Sequence, residues 1–231
     1  MINQLLRYIG KTFTGVDARD ILCLAQMILS LIQERTVNLS KLSLRCHYKS
    51  ERKEASYRRL QRFVARLPIT QEQLCSFILG FIPGPYLLAM DRTNWQFGKT
   101  PINILTLSVV WNGLAIPVFW SLLPHKGCSG PEDRIALMER FLNLKDPRTI
   151  QALVMDREFI GPEWLAYLNL KGVCFHVQLR NNIKIGRGKG EIVSAAHTFS
   201  HLQKLEKIDL PGKRTIGGKK GNMRLFVSAA R

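Results

Sequence analysis

Acidic residues are scarce in this chain: 17 Asp and Glu stand against 34 Lys and Arg, a formal net charge of +17 at pH 7 with a sequence pI near 10.1. Such a surface disfavours cationic partners and draws polyanions over long range, nucleic acid foremost. Long apolar runs are missing too. None reaches the roughly 18 residues of a membrane span, and the N-terminus MINQLLRYIGKTF lacks the apolar core of a signal peptide. A cytoplasmic location with no membrane partner is expected. The five cysteines, Cys23, Cys46, Cys75, Cys128 and Cys174, form neither a CxxC nor a zinc-spaced pair with histidine. That pattern speaks against a disulfide framework or a thiolate metal site and fits small buried hydrophobes in a reducing compartment.

What is present is material for a core. With 231 residues, 46% of them hydrophobic, the chain can hold one main domain and something smaller. Its charge is unevenly placed. Residues 1–80 carry 13 Lys/Arg against 6 Asp/Glu, 81–180 carry 10 against 8, and 181–231 carry 11 against 3. Two basic flanks enclose a nearly neutral centre.

The first flank, residues 1–80, is predicted to be all-helical. ARDILCLAQMILSLIQ (18–33) spaces its apolar residues for a helix buried on most sides. VNLSKLSLRC (37–46), a polar break HYKS and ERKEASYRRLQRFVARL (51–67) follow, with Ser50 as N-cap and Pro68 as stop. In the last helix Leu60, Phe63, Val64 and Leu67 make an apolar stripe, while Arg52, Arg59, Arg62 and Arg66 share an adjoining arc and Arg58 adds to it. A helix with one apolar and one basic face suits a phosphate backbone or a DNA groove, and equally a solvated face. The two helices resemble a helix-turn-helix whose turn lacks glycine.

From Pro83 the texture changes to strands. PYLLAMD (85–91), INILTLSVVW (102–111) and LAIPVFWSLL (114–123) are short runs rich in β-branched and aromatic residues, separated by GKTP and by Asn112-Gly113. An amphipathic helix, PEDRIALMERFLNL (131–144), leads to the strand TIQALVMD (149–156), then a helix opened by Gly161-Pro162, then the strand CFHVQLR (174–180). The order β-β-β-α-β-α-β matches a ribonuclease-H-like mixed sheet. Residues 83–182 would form this core, and the Gly/Lys-rich 183–231 a basic β insertion. Lys184, Arg187, Lys189, Lys213, Arg214, Lys219 and Lys220 would give that insertion a phosphate-gripping edge, or a flexible basic tail.

Twice an apolar run meets Asp-Arg, at AMDRTNW and VMDREF. In the expected sheet the first strand lies beside the strand after the first helix, so Asp91 and Asp156 become neighbours. Adjacent carboxylates repel unless a cation lies between them, and oxygen-seeking Mg²⁺ or Mn²⁺ would answer that need. The bland alternative is a pair of turn or cap residues. Arg157, beside one aspartate, could hold a scissile phosphate or an ion pair, and His125 could touch phosphate or metal or simply be solvated. Trp111, Trp120 and Trp164 read as core. Trp95 falls in an expected loop after Asp91, where it could pack or could stack on an unpaired base.

AMDRTNWQFG and VMDREFIGPEWLAYLNLKGVCFHVQLRNN resemble the first and second catalytic-aspartate segments of DDE insertion-sequence transposases of the IS-four group. SYRRLQRFVARL is similar to the DNA-binding region preceding that core. The resemblance, over about residues 35–182, implies an enzyme of DNA transposition and recombination. Asp91 and Asp156 match its catalytic and metal-binding aspartates, with Mg²⁺ or Mn²⁺ as cofactor. Its partners would be double-stranded DNA, both element ends and target, bound by a homodimer on paired ends. The family's third carboxylate, a Glu within Tyr-Arg-Glu-Lys, has no counterpart: Glu158, Glu163, Glu191, Glu206 and Asp209 are the acids after Asp156. The resemblance therefore implies a C-terminally truncated transposase of low activity, or an inactive DNA-binding remnant or inhibitor.

Overall fold

The computed structural model describes residues 2–46, 53–124, 127–188, 191–218 and 221–230. The expected Ser50 cap and HYKS break lie outside them, as do Arg52, His125, Lys189, Lys219 and Lys220. The chain divides into two compact units, Met1–Pro83 and Gly84–Arg231. Among the described residues no helix is long and apolar enough to cross a membrane.

The first unit is helical: α1 (Ile2–Thr12), α2 (Ala18–Glu34), α3 (Leu39–Ser43), α4 (Lys53–Arg66) and α5 (Gln71–Leu79). Helix α2 starts where the Asp17 carboxylate accepts from the Arg19 N–H and stops at left-handed Arg35, φ 50°. Its apolar residues serve two clusters. Ile21 and Ala25 pack with Ile9 and Phe13, while Cys23 packs with Leu42, Cys46, Leu60 and Phe63. Double-sided burial is why its sequence is apolar almost all round. The α4 stripe is narrower than its sequence implied. Leu60 and Phe63 are buried, but Val64 and Leu67 are exposed.

The second unit is built on a five-stranded sheet whose central strand is the first in sequence, flanked outward by the second and third on one side and by the fourth and fifth on the other. Strands β1 (Tyr86–Phe97), β2 (Thr100–Trp111) and β3 (Leu114–Leu123) run antiparallel. After α6 (Pro131–Leu142), β4 (Ile150–Met155) lies parallel to β1; after α7 (Pro162–Leu170), β5 (Phe175–Val177) lies parallel to β4. This is the ribonuclease-H-like arrangement. Two strand boundaries differ clearly from expectation: β5 is confined to Phe175–Val177 of the expected 174–180, and β1 is longer than expected. The apolar run ends at Asp91, yet β1 continues to Phe97, so Trp95 lies on a strand rather than in a loop.

Asn112 and Gly113 both have positive φ, 49° and 78°, as a two-residue hairpin with the twist of its strands requires. No atom lies within 4 Å of a Cβ placed on Gly113, so an alanine there meets only backbone strain. Gly113→Ala is expected to cost about 1 kcal/mol, read as a lower urea midpoint at unchanged slope. An unchanged midpoint would refute the turn assignment.

Both helices of the core cover one face of the sheet. The Tyr86 and Phe141 rings meet edge-on at 6.2 Å, and Trp164 donates its indole N–H to the Met155 sulfur at 3.1 Å. Lys171 and Glu139 join α6 to the end of α7 at 2.6 Å. The basic C-terminal stretch folds as short strands: β6 (Lys184–Gly188), β7 (Glu191–Ser194), β8 (Lys207–Asp209), β9 (Arg214–Gly218), β10 (Gly221–Leu225) and β11 (Ser228–Ala230), with α8 (Ala195–Thr198) between β7 and β8. They form a four-stranded sheet, β10-β9-β6-β7, and a β11-β8 pair around Ile185, Ala195, Ile216 and Val227.

Candidate metal and nucleic-acid site

Register brings the two aspartates together. Met90 of β1 is the parallel partner of Met155 of β4, so the residues that follow, Asp91 and Asp156, emerge side by side on strands about 4.8 Å apart. Met90 and Met155 are buried on the helix-covered face. Alternation along extended backbone then turns both carboxylates to the opposite face; Asp156, at φ −76° and ψ 166°, is still extended. Both are exposed. Asp156 occupies the N-cap position of a 3₁₀ turn, Arg157–Phe159, yet its side chain makes no capping hydrogen bond. The cap explanation for this residue is thereby weakened.

A clamp between residues far apart in the chain holds these segments. The Arg92 guanidinium forms a two-armed ion pair with Glu158, Nε to Oε1 and Nη2 to Oε2 at 2.9 Å each. The side chains are only 9% and 19% exposed. Glu158 holds the Arg92 pKa above its ordinary value. Arg92 Nη1 also donates to Asn94 and, at 3.2 Å, to Asn103 of β2. From α6, buried Arg134 donates to the Glu158 carbonyl at 3.4 Å and to Ser129 Oγ at 2.8 Å, with its guanidinium 4.9 Å from the centre of the Phe159 ring. Burial lowers the Arg134 pKa. The Arg of the first Asp-Arg pair thus grips the acid two residues beyond the second aspartate.

The remaining candidates are dispersed. Arg157, Glu163 and Lys184 are exposed; Arg187 lies on β6. Glu206 accepts from the Gln203 N–H at 2.7 Å, and Asp209 faces Lys207 at 3.7 Å. On α4, Arg58 and Arg62 are exposed. Arg59 donates to Gln26 and to the Cys46 carbonyl, and Arg66 pairs with Asp20, so both also help hold the helices together. Among the described residues no group of three His, Cys, Asp or Glu could hold a metal ion. Two oxygen donors still suit Mg²⁺, which commonly takes one or two carboxylates and completes its shell with water and substrate phosphate. A cavity of about 470 Å³ runs along Val154, His176 and Phe226 and includes neither aspartate.

No protein-family model matches the chain, and no curated protein matches it by sequence. Among solved structures it is similar to the HTLV-2 integrase catalytic core domain in complex with magnesium (dimeric form), at TM-score 0.32 and 10% identity over 42% of this chain and 62% of that one. It is also similar to the simian T-cell lymphotropic virus intasome in complex with PP2A regulatory subunit B56 gamma, at TM-score 0.34 and 7% identity over 42% of this chain and 36% of that one. The chain spans less than two thirds of the length of each.

Proposed function

We propose that this chain is a DNA-processing protein of the DDE transposase type, with Asp91 and Asp156 holding Mg²⁺ or Mn²⁺ against a DNA phosphate at the ends of a mobile element. The observation that carries this reading is the parallel register that delivers two exposed carboxylates to one face of adjacent strands. Such a bound metal supplies Lewis acidity for DNA cleavage and strand transfer. The chain's own residues position and attract: the Arg92–Glu158 clamp ties the two aspartate segments together, Arg157 offers its charge to the phosphate, and the basic flanks gather DNA. A homodimer on paired ends belongs to the same reading.

The absence of a third clustered acid among the described residues favours a second reading, a DNA-binding remnant or inhibitor that occupies ends without cutting. Incubation with a duplex carrying the encoding element's terminal sequence and Mg²⁺ separates the two. Nicking followed by joining of 3′ ends to a second duplex, lost in Asp91→Asn, supports the enzyme; binding without products supports the remnant; no binding overturns both.

Binding itself should fall steeply with salt. Arg58→Ala and Arg62→Ala are each expected to lower affinity for any duplex and to reduce the slope of log K against log salt by about 1. Anisotropy titrations between 50 and about 200 mM salt check this, and unchanged slopes would remove α4 from the interface.

A further inference from the structure

We infer that the β1–β2 hairpin carries a nucleobase-stacking site, made by Trp95 and Phe97, for an unpaired nucleotide of the DNA bound at Asp91. This rests on the nucleic-acid reading above. Trp95 and Phe97 are 69% and 78% exposed, an unusual state for two large aromatic rings so close together, and one that marks a binding surface. Register between the strands is unbroken there, Trp95 opposite Ile102 and Phe97 opposite Thr100. Positions 91, 93, 95 and 97 therefore share one face of β1, and the aromatics stand on the same side as the Asp91 carboxylate. Leu122 of β3, 69% exposed, extends the patch, since its partner Ile104 lies opposite Thr93.

Dimensions and charge both select a base. Alternate residues on a strand are about 6.7 Å apart, roughly twice the 3.4 Å rise of stacked bases, which leaves room for one base between the rings. Trp95 lies four residues beyond Asp91, about 13 Å along the strand, or some four base steps from a phosphate at the metal site. No acidic residue occurs between Asp91 and Glu132, and exposed Lys99 stands at the hairpin tip. An aromatic platform beside a cation is the usual construction for holding single-stranded nucleic acid without sequence preference.

The test uses the full chain and a 2-aminopurine-labelled duplex, with the label either paired or in a short unpaired flap. Wild-type protein is expected to prefer the flapped duplex by about 5- to 100-fold and to change the label's emission. Trp95→Ala and Phe97→Ala should each erase most of that preference while leaving paired-duplex affinity intact, and Trp95→Phe should keep it. Paired-duplex binding without flap preference, or a preference indifferent to Trp95→Ala, overturns the stacking site alone. Loss of binding to every duplex in the wild type overturns the nucleic-acid reading beneath it. A wild-type dimer that Trp95→Ala dissociates, with flap preference unchanged, reassigns the patch to contact between copies of the chain.

Discussion

Glu158→Ala is expected to destabilise the Gly84–Arg231 unit by about 2–4 kcal/mol, between the loss at an exposed ion pair and that at a fully buried one, because the pair is largely but not wholly shielded. The reason is asymmetry rather than the strength of the bond. Arg92 keeps its charge under all ordinary conditions and, with its side chain only 9% exposed, would lose the one carboxylate that is hydrogen-bonded to it among the described residues and keep only the more distant charge of Asp91. Arg92→Ala, in contrast, leaves Glu158 facing the charge of Arg134, whose guanidinium also reaches the Glu158 carbonyl. The acid variant should therefore be the more damaging of the two at neutral pH. At about 2–4 °C per kcal/mol for a unit of this size, the melting temperature should drop by roughly 10 °C. Arg92→Met combined with Glu158→Met should regain much of the loss, because neither buried charge remains. Thermal melts of the two alanine variants and the double methionine variant form the measurement. Single-variant losses below about 1 kcal/mol would mean that the pair behaves like an exposed one and does not hold the aspartate segments.

The second large effect lies at the aspartates and has the opposite sign for stability. Asp91 and Asp156 are exposed neighbours with the same charge. Without metal they repel, so Asp91→Asn should leave the melting temperature unchanged or raise it slightly. Its affinity for Mn²⁺ should fall by about 100-fold or more, since loss of a direct ligand should match or exceed the 10–100-fold typical of outer-shell losses. Asp156→Asn should behave alike. Titration of Mn²⁺ into the full chain, followed by electron paramagnetic resonance, gives the affinities, and calorimetry gives the melts. A variant that loses stability without losing metal would mark the aspartate as a structural turn residue. Equal metal binding by wild type and both variants would remove the metal site.

Much of the sheet could be read from the chain because its rules are local. The strand-forming runs, the Asn112-Gly113 turn and the proline-opened helices α6 and α7 each carry their signal within a few residues, and the order of elements then limits the topology. The extension of β1 past Asp91 was not legible. Residues 93–97 are exposed on both faces of the strand, so burial prints no alternation there, and polar residues after an apolar run look like a loop. For the same reason Trp95 could not be placed by pattern. The clamp was hidden by distance: Arg92 and Glu158 are 66 residues apart, and each is an ordinary surface type until the fold brings it inside. Arg59 and Arg66 show a related limit. Helical periodicity put both on a basic face, but only the packing of α2 and of the segment after α3 against α4 reveals that Gln26, Asp20 and Cys46 engage them.

The clamp also has an evolutionary consequence. Because Arg92 stands next to one aspartate and Glu158 two residues after the other, the segments that carry the carboxylates are bound to each other through a partnership that does not involve metal. Neither position can drift alone without exposing a buried charge of the other. Among descendants of this sequence, positions 92 and 158 should therefore change as a pair, and lineages that have abandoned the two aspartates should still carry the arginine and the glutamate together.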